Sequence, residues 1–212
     1  MQDIYILSGL GVDERVFKDI DFGKFKPIFI QWIQPAVNES IESYAKKLTK
    51  QITSENPILI GLSFGGMIAI EIGKQIKTDK IILLASAKTT QEIPNYYKLA
   101  GTLKLNNLLP SKILKKNNVV TNWFFGTKEK QEKDLLTQIL KETDSQILKW
   151  SIDKIVNWKN MTVPENIIHV HGNKDKILPI NFVHCNYVVE NAGHFMTMTH
   201  SKEISELLQK II

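Results

Sequence analysis

Short runs of Ile, Leu and Val alternate along the chain with longer stretches in which apolar residues recur every three or four positions. The short runs have the length of buried β-strands, and the longer stretches have the period of α-helices that pack by one face. This alternation is typical of a mostly parallel, doubly wound sheet with helices on both faces. We therefore predict an α/β fold with six strands, at residues 4–7, 27–31, 57–61, 80–85, 167–171 and 187–190.

Three helices can be placed from the same pattern. Apolar residues share one helical face between Ile41 and Ile52, directly after Ser40, which is a common N-cap residue type. The C-terminal stretch after Ser201 repeats this arrangement. Residues 67–72, in contrast, are apolar nearly all round, which predicts a helix buried against the centre of the sheet.

The alternation stops between residues 88 and 143. Pro94 and Pro110 separate helix-like pieces there, and no strand-like apolar run lies among them. A stretch of helical pattern resumes at Gln146 and continues to Trp158. We predict that residues 88–143 form a small helical lid, inserted into a single domain of residues 1–212.

This predicted lid contains three consecutive aromatic residues, Trp123, Phe124 and Phe125. They can pack inside the lid itself, or they can form a wall of a substrate pocket. The sequence leaves both interpretations open.

The composition narrows the class of protein. The chain has 212 residues, 43% of them hydrophobic, which is enough for one continuous core. We expect no membrane association, because no apolar run approaches the ~20 residues of a membrane span. The chain opens on a predicted strand with no basic leader, so we expect a cytoplasmic protein. The single cysteine, Cys185, cannot form an internal disulfide or a metal cluster, and we expect neither metal nor cofactor.

The net charge of +5 is confined to residues 88–143, which hold ten lysines and five acidic residues. Arg15 is the single arginine among 27 basic residues, whereas nucleic-acid recognition favours the guanidinium fork. A solvated lysine-rich surface explains the charge, and steering of an anionic substrate is the alternative. We expect a small-molecule substrate and no nucleic acid, while the oligomeric state stays open.

The strongest chemical motif is Gly61-Leu62-Ser63-Phe64-Gly65, between the third predicted strand and the buried helix. A strand that turns directly into a helix leaves Ser63 on a tight bend, where flanking glycines remove colliding side chains. The hydroxyl of Ser63 would then stand above the sheet edge. The backbone N–H of Phe64, at the helix N-terminus, would face the same space and favour negative charge.

A serine nucleophile needs a base, and His194 is the histidine that the pattern places best. It follows the last strand, and in a parallel sheet this puts it on the same edge as Ser63. His171, which ends the fifth strand, is either structural or near the site. Asp175, just beyond that strand, can orient the imidazole of His194. Glu190 is a poorer choice of acid, because it falls inside a predicted strand.

Two of these side chains have simpler explanations. Asp175 stands between Lys174 and Lys176 and can form a solvated ion pair. Arg15 follows Asp13 and Glu14, so an intramolecular ion pair competes with a role in binding a substrate carboxylate.

Together these residues resemble the α/β-hydrolase superfamily over the whole chain. The order Ser63, Asp175, His194 is similar to its order of nucleophile, acid and base, and residues 61–65 look like its nucleophile elbow. Gly193-His194-Phe195 is similar to its histidine loop. The resemblance implies the fold of that superfamily, here without its opening hairpin.

The resemblance also implies a second oxyanion donor. The segment Ser8-Gly9-Leu10-Gly11 matches the loop after the first central strand, so the backbone N–H of Leu10 is the expected donor. Ser8 stands where the family commonly has histidine, and this replacement removes no backbone N–H.

A base-activated serine beside two N–H donors is suited to acyl transfer. We expect hydrolysis of a small carboxylic ester or thioester through an acyl-enzyme. The alternatives are a carbon–carbon hydrolase, a lyase or a methylesterase of the same fold, or a non-catalytic ligand-binding member.

Overall fold

The computed structural model describes residues 2–105 and 115–212, and within them it contains one six-stranded sheet flanked by helices. The strands are β1 (Gln2–Leu7), β2 (Phe25–Phe29), β3 (Ile58–Leu62), β4 (Lys80–Leu84), β5 (Ile167–Gly172) and β6 (Tyr187–Val189). The helices are α1 (Ile41–Leu48), α2 (Phe64–Gly73), α3 (Asn95–Thr102), α4 (Val119–Phe125), α5 (Lys130–Glu142), α6 (Ser145–Val156), α7 (Met196–Thr199) and α8 (Ser201–Ile211).

All neighbouring strands are parallel, in the order β2-β1-β3-β4-β5-β6. The chain runs outward from β1 to β2, then crosses to β3 and continues in the opposite direction. Ligands of open α/β sheets bind at the carboxyl ends of the strands near such a reversal. The loops that follow β1 and β3 meet at this point.

Both faces of the sheet are buried, because alternate side chains of each strand join different cores. Ile4 and Ile6 of β1 pack with the face that α8 covers, where Leu208 is fully buried. Tyr5 and Leu7 join the opposite core, which α1 and α2 cover. The sheet is therefore the layer shared by two apolar cores.

The helices follow the sequence pattern closely. Ser40 caps α1, where its Oγ accepts the N–H of Ser43 at 3.2 Å. In α2 every residue from Phe64 to Ile72 is buried, as the all-round apolar pattern predicts. α8 begins at Ser201, and α6 covers nearly all of the stretch predicted from Gln146 to Trp158.

The prediction of a mostly parallel α/β sheet with six strands is confirmed. The largest shift is in β2, which spans Phe25–Phe29 instead of residues 27–31 and so differs by two residues at both ends. This strand lies at the edge of the sheet and exposes Lys26, so its apolar pattern is less regular than that of the central strands.

Residues 88–143, the predicted lid, hold α3, α4 and α5, and their described part contains no strand. Leu108, Leu109 and Pro110 of this segment lie outside the described residues. Nowhere in residues 2–105 and 115–212 does a helix combine the length and the apolar character needed to cross a membrane.

Candidate active site

Ser63 is the one residue between β3 and α2, and its backbone conformation is unusual. Its φ of 52° and ψ of −120° lie in a region that L-residues rarely adopt, at a cost of about 1–3 kcal/mol. Hydrogen bonds hold this conformation on both sides: Ser63 N donates to the Leu84 carbonyl at 2.9 Å, and Ser86 Oγ donates to the Ser63 carbonyl at 2.6 Å. The turn is thus fixed to β4 as well as to its own strand and helix.

The glycines around Ser63 are required by close backbone approaches. A methyl group at Gly65 would overlap the carbonyl oxygens of Leu7 and Ser8, and one at Gly61 would overlap the backbone of Gly66. Only glycine lets α2 start this close to the end of β1. The elbow therefore depends on the absence of side chains at these positions.

The structure brings Ser63, His194 and Asp175 together although they are far apart in the chain. His194 Nε2 lies 2.8 Å from Ser63 Oγ, and His194 Nδ1 lies 2.7 Å from Asp175 Oδ2. Both contacts are hydrogen bonds in the tautomer that carries its proton on Nδ1, because Nε2 is then free to accept from the hydroxyl. The imidazole is in line to take the proton of the serine.

Asp175 is held rigidly at the end of β5. Its side chain is fully buried, and Oδ1 accepts the N–H groups of Ile177 at 2.9 Å and Leu178 at 2.8 Å. These bonds leave Oδ2 directed at His194. The solvated ion pair with Lys174 or Lys176 is not formed, and Glu190 is exposed and accepts a hydrogen bond from the Asn173 side chain instead of contacting His194.

His171 is the nearest further titratable group. It is fully buried, its Nε2 donates to the Leu178 carbonyl at 2.8 Å, and the same atom lies 3.6 Å from Asp175 Oδ2. Burial lowers the pKa of His171, and the charge of Asp175 opposes that effect in part. Of the two interpretations of His171, the structure places it next to the site, where it fastens the loop that carries Asp175.

His169 lies one layer further from the site, fully buried, with its ring 5.3 Å from that of His171. Burial is the main cause that lowers the pKa of His169 to about 3, and the positive charges of His171 and Lys88 lower it further. His169 is therefore a neutral residue of the core.

The loop that carries His194 rests on the end of α4. Phe195 N donates to the Phe125 carbonyl at 3.1 Å, and the Phe125 ring stands edge-on to the His194 ring at 6.1 Å. Gly126, with φ of 77°, ends α4 and packs against Gly193. The predicted lid thus contacts His194 and its loop directly.

Of the three consecutive aromatic residues only Phe125 packs against His194, whereas the rings of Trp123 and Phe124 contact each other edge to face, with centres 5.0 Å apart. Phe125 lines a small cavity together with Ser63 and His194. Trp123 and Phe124 are 55% and 38% exposed, and neither lines a described cavity next to Ser63. Lys176 Nζ lies 3.9 Å from the centre of the Trp123 ring. Successive helical residues point about 100° apart, so one helix cannot direct all three at the site.

The two expected oxyanion donors are free to bind a ligand. Within the described residues, the N–H groups of Leu10 and Phe64 donate to no backbone carbonyl. Phe64 opens α2, where the first N–H groups have no partner inside the helix. Ser8, where the family commonly has histidine, accepts a hydrogen bond from Trp32 Nε1 at 2.9 Å, which fixes the loop by another route.

A cavity of about 60 Å³, the triad cavity, is lined by Ser63, Ser86, His194 and mainly apolar residues. It adjoins a second cavity of about 400 Å³, the apolar cavity, and shares three lining residues with it: Tyr97, Ile155 and Ile177. The lining of the apolar cavity comes from α3, Leu105 just beyond it, α6 and the loop that carries Asp175. An apolar space therefore extends from Ser63.

Arg15 is part of an intramolecular ion-pair network, so its guanidinium is not free to bind a substrate carboxylate. Its guanidinium contacts Asp13 at 2.6 Å, as its neighbours in sequence suggest, and Glu142 of α5 at 2.6 Å. These contacts raise the pKa of Arg15. The second partner of Arg15 is Glu142, far along the chain, and not the neighbouring Glu14. No local sequence pattern predicts this pairing.

Sequence reasoning missed two residues that shape this site. Ser86, just after β4, holds the Ser63 carbonyl, and its position at the carboxyl end of a parallel strand was an available signal. Trp32 stacks on Phe64 with ring centres 5.8 Å apart and also bonds Ser8. No signal in the sequence joins Trp32 to the loop after β1.

The comparisons with known proteins identify the fold. No protein-family model matches the chain, and no curated protein matches it in sequence. Solved structures do: MenH from S. aureus has a TM-score of 0.75 at 13% identity, over 99% of this chain and 92% of that chain. An esterase from Exiguobacterium antarcticum has a TM-score of 0.70 at 15% identity, over 100% of this chain and 92% of that one. A meta-cleavage product hydrolase from Pseudomonas fluorescens IP01 has a TM-score of 0.69 at 15% identity, over 100% and 90%.

These neighbours are α/β-hydrolases, and the likeness extends over nearly the whole of each chain. The chain has the α/β-hydrolase fold. Among the described residues, no group of three or more His, Cys, Asp or Glu side chains is placed to hold a metal ion.

The close approach at Gly65 gives a first prediction. Gly65→Ala should lower the free energy of unfolding by about 1–3 kcal/mol, because the methyl group must displace backbone carbonyls. Urea denaturation followed by circular dichroism measures this. Gly73→Ala, in the same helix, is the matched control, since its methyl meets mainly the end of the Ile81 side chain. Equal effects of the two substitutions would contradict the packing described for the elbow.

The buried histidine gives a second prediction, on stability against pH. The folded-state pKa of His169 is about 3, below its unfolded value near 6.5, so the unfolded state binds more protons between these values. The free energy of unfolding should therefore fall as pH decreases through this window, by up to about 1.4 kcal/mol per pH unit from His169. His169→Gln should flatten the slope, while His184→Gln, at an exposed site, should leave it unchanged. An unchanged slope in His169→Gln would be incompatible with a buried neutral His169.

Proposed function

We propose that the protein is a serine hydrolase that cleaves a small carboxylic ester or thioester through an acyl-enzyme. One observation carries the proposal: the continuous hydrogen-bond chain from Ser63 Oγ through His194 to Asp175, with distances of 2.8 and 2.7 Å. Such a chain activates a hydroxyl that is otherwise a poor nucleophile. Its position on a strained, rigid turn at the sheet edge supports the same conclusion.

In the first step Ser63 Oγ attacks the carbonyl carbon of the substrate, and its proton passes to His194 Nε2. The electron pair of the carbonyl double bond moves to oxygen and gives a tetrahedral oxyanion. Asp175 stabilises the imidazolium that forms and keeps the proton of Nδ1 in place. The hydrogen bonds from the N–H groups of Ile177 and Leu178 to Asp175 Oδ1 prevent the carboxylate from rotating away from His194.

The oxyanion needs donors aimed at its position. The N–H groups of Leu10 and Phe64 are suited to this, because they have no competing backbone acceptor in the described residues and flank Ser63. The N-terminus of α2 adds a favourable dipole. Donors fixed in advance stabilise developing charge without reorganisation during the reaction.

The oxyanion then collapses, and His194 gives its proton to the departing alcohol or thiol. This leaves an acyl group on Ser63 Oγ. Water attacks the acyl-enzyme with His194 as base, and a second tetrahedral intermediate releases the carboxylic acid and restores the serine hydroxyl. The sum of the two steps is hydrolysis of one ester or thioester bond.

The apolar cavity supports a hydrocarbon acyl group as the part of the substrate that lies beyond the triad cavity. Tyr97, Ile155 and Ile177 connect the two spaces, and Tyr97 is fixed by a hydrogen bond from its hydroxyl to the Ile177 carbonyl at 3.0 Å. Phe125, beside His194, is the one aromatic residue of the predicted trio that we retain as part of a pocket wall.

The nucleophile gives the first test of this function. Ser63→Ala should abolish hydrolysis of p-nitrophenyl esters, because the variant loses the attacking oxygen, and the residual rate should come only from oxyanion binding. Thermal unfolding should show a folded protein. Retention of more than about a tenth of the wild-type kcat would contradict the assignment of Ser63.

The acid gives a second, independent test. Asp175→Asn should lower kcat by up to about 10⁴, because an amide would hold His194 in the wrong tautomer while the loop keeps its shape. Glu190→Gln is the matched control and should leave kcat near that of the wild type, since Glu190 is exposed and contacts Asn173. If Glu190→Gln abolished activity and Asp175→Asn did not, the acid would be misassigned.

A further inference from the structure

A cavity of about 180 Å³ shares no lining residue with the apolar cavity. Its walls are the loop after β1, the Trp32 ring, and the junction between α5 and α6. It shares Phe64 with the triad cavity, and it shares Gly9, Leu10 and Val12 with the small cavity beside Ser63 and His194. Both proposed oxyanion donors therefore belong to residues that line it.

Ser151 of α6 lines this cavity and has no partner for its hydroxyl. The residue is 1% exposed, and its Oγ makes no hydrogen bond within the described part of the chain. Leaving a buried hydroxyl unpaired is unfavourable, so such groups are normally bonded to protein or to another molecule. A ligand in this cavity would satisfy it.

Three carboxylates line the same cavity, from Asp13, Glu142 and Asp144, and no Lys or Arg among the described residues lines it. Arg15 pairs with Asp13 and Glu142 from outside the lining. The N–H of Ile147 donates to Asp144 Oδ1 at 2.9 Å, and this hydrogen bond is the main cause that lowers the pKa of Asp144. We name this space the acid-rimmed cavity. Carboxylate oxygens accept hydrogen bonds and repel anions, so the cavity favours a hydrogen-bond donor without negative charge.

We propose that the acid-rimmed cavity binds the leaving alcohol of the substrate, and that this alcohol carries a hydroxyl or ammonium group which donates a hydrogen bond to Ser151. The proposal rests on the proposed esterase function. With the acyl group in the apolar cavity and the carbonyl at the N–H groups of Leu10 and Phe64, the alcohol extends into the remaining space. At about 30 Å³ for a water-sized group, the cavity holds about six non-hydrogen atoms.

Four acetate esters of similar size test this assignment: those of propane-1,3-diol, 3-(dimethylamino)propan-1-ol, n-butanol and 4-hydroxybutanoic acid. We expect the first two to have the highest kcat/KM and the carboxylate ester the lowest. Ser151→Ala should lower kcat/KM for the first two about three- to tenfold, the loss of one hydrogen bond, and change the n-butyl ester less than twofold.

Control variants separate this effect from general damage to the fold. Ser201→Ala, at the start of α8, lines none of the cavities described above and should leave all four rates unchanged. Asp144→Asn keeps an N-cap residue type on α6 and should lower the rate of the dimethylamino ester more than that of the hydroxyl ester. Asp79→Asn, an exposed residue just before β4, is its matched control.

A binding experiment keeps this inference apart from the proposed function. Saturation-transfer NMR should detect binding of 3-(dimethylamino)propan-1-ol to the wild-type protein, with weaker binding to Ser151→Ala. If no ester is cleaved, the proposed function fails, but this measurement still shows whether the acid-rimmed cavity binds the amino alcohol through Ser151. The inference would be overturned if the amino alcohol bound equally to both proteins. It would also be overturned if Ser151→Ala slowed the n-butyl ester as much as the hydroxyl ester, or if the wild-type protein preferred the carboxylate ester.

Discussion

The positive φ of Ser63 is the constraint on which the rest of the site depends. An L-residue keeps this conformation only where its surroundings leave no alternative. Here β3 enters the turn, α2 leaves it, and the backbone of Ser63 bonds Leu84 on one side and Ser86 on the other. Hydrogen bonds at the end of the sheet therefore offset the unfavourable backbone conformation of Ser63 and fix the position of its hydroxyl.

Parallel topology explains why residues from distant parts of the chain complete this site. All six strands end at one edge, so the loops after β3, β5 and β6 bring Ser63, Asp175 and His194 together without any long-range motif. The same edge receives Leu10 from the loop after β1. The reversal of strand order between β1 and β3 opens the space between these loops, which the cavities occupy.

Much of the fold and the identity of the three central side chains could be predicted from the sequence, because both depend on local patterns. Apolar period places the strands, and Gly61 and Gly65 mark a turn that tolerates no side chain. Contacts between distant surfaces carry no such pattern. The hydrogen bond from Trp32 to Ser8 depends on how the loops after β1 and β2 meet. The pairing of Arg15 with Glu142 and the exposure of Trp123 depend on how helices dock on the sheet. Local periodicity does not specify that docking.

Labelling with a fluorophosphonate is the sharpest test of whether Ser63 is a preorganised nucleophile. The reagent phosphonylates an activated serine hydroxyl, and peptide mass spectrometry identifies the modified residue. We expect one adduct on Ser63 at neutral pH, and no adduct after the protein is unfolded in urea before labelling. Absence of an adduct on the folded protein, or an adduct on Ser8, Ser86 or Ser151 in place of Ser63, would contradict this expectation.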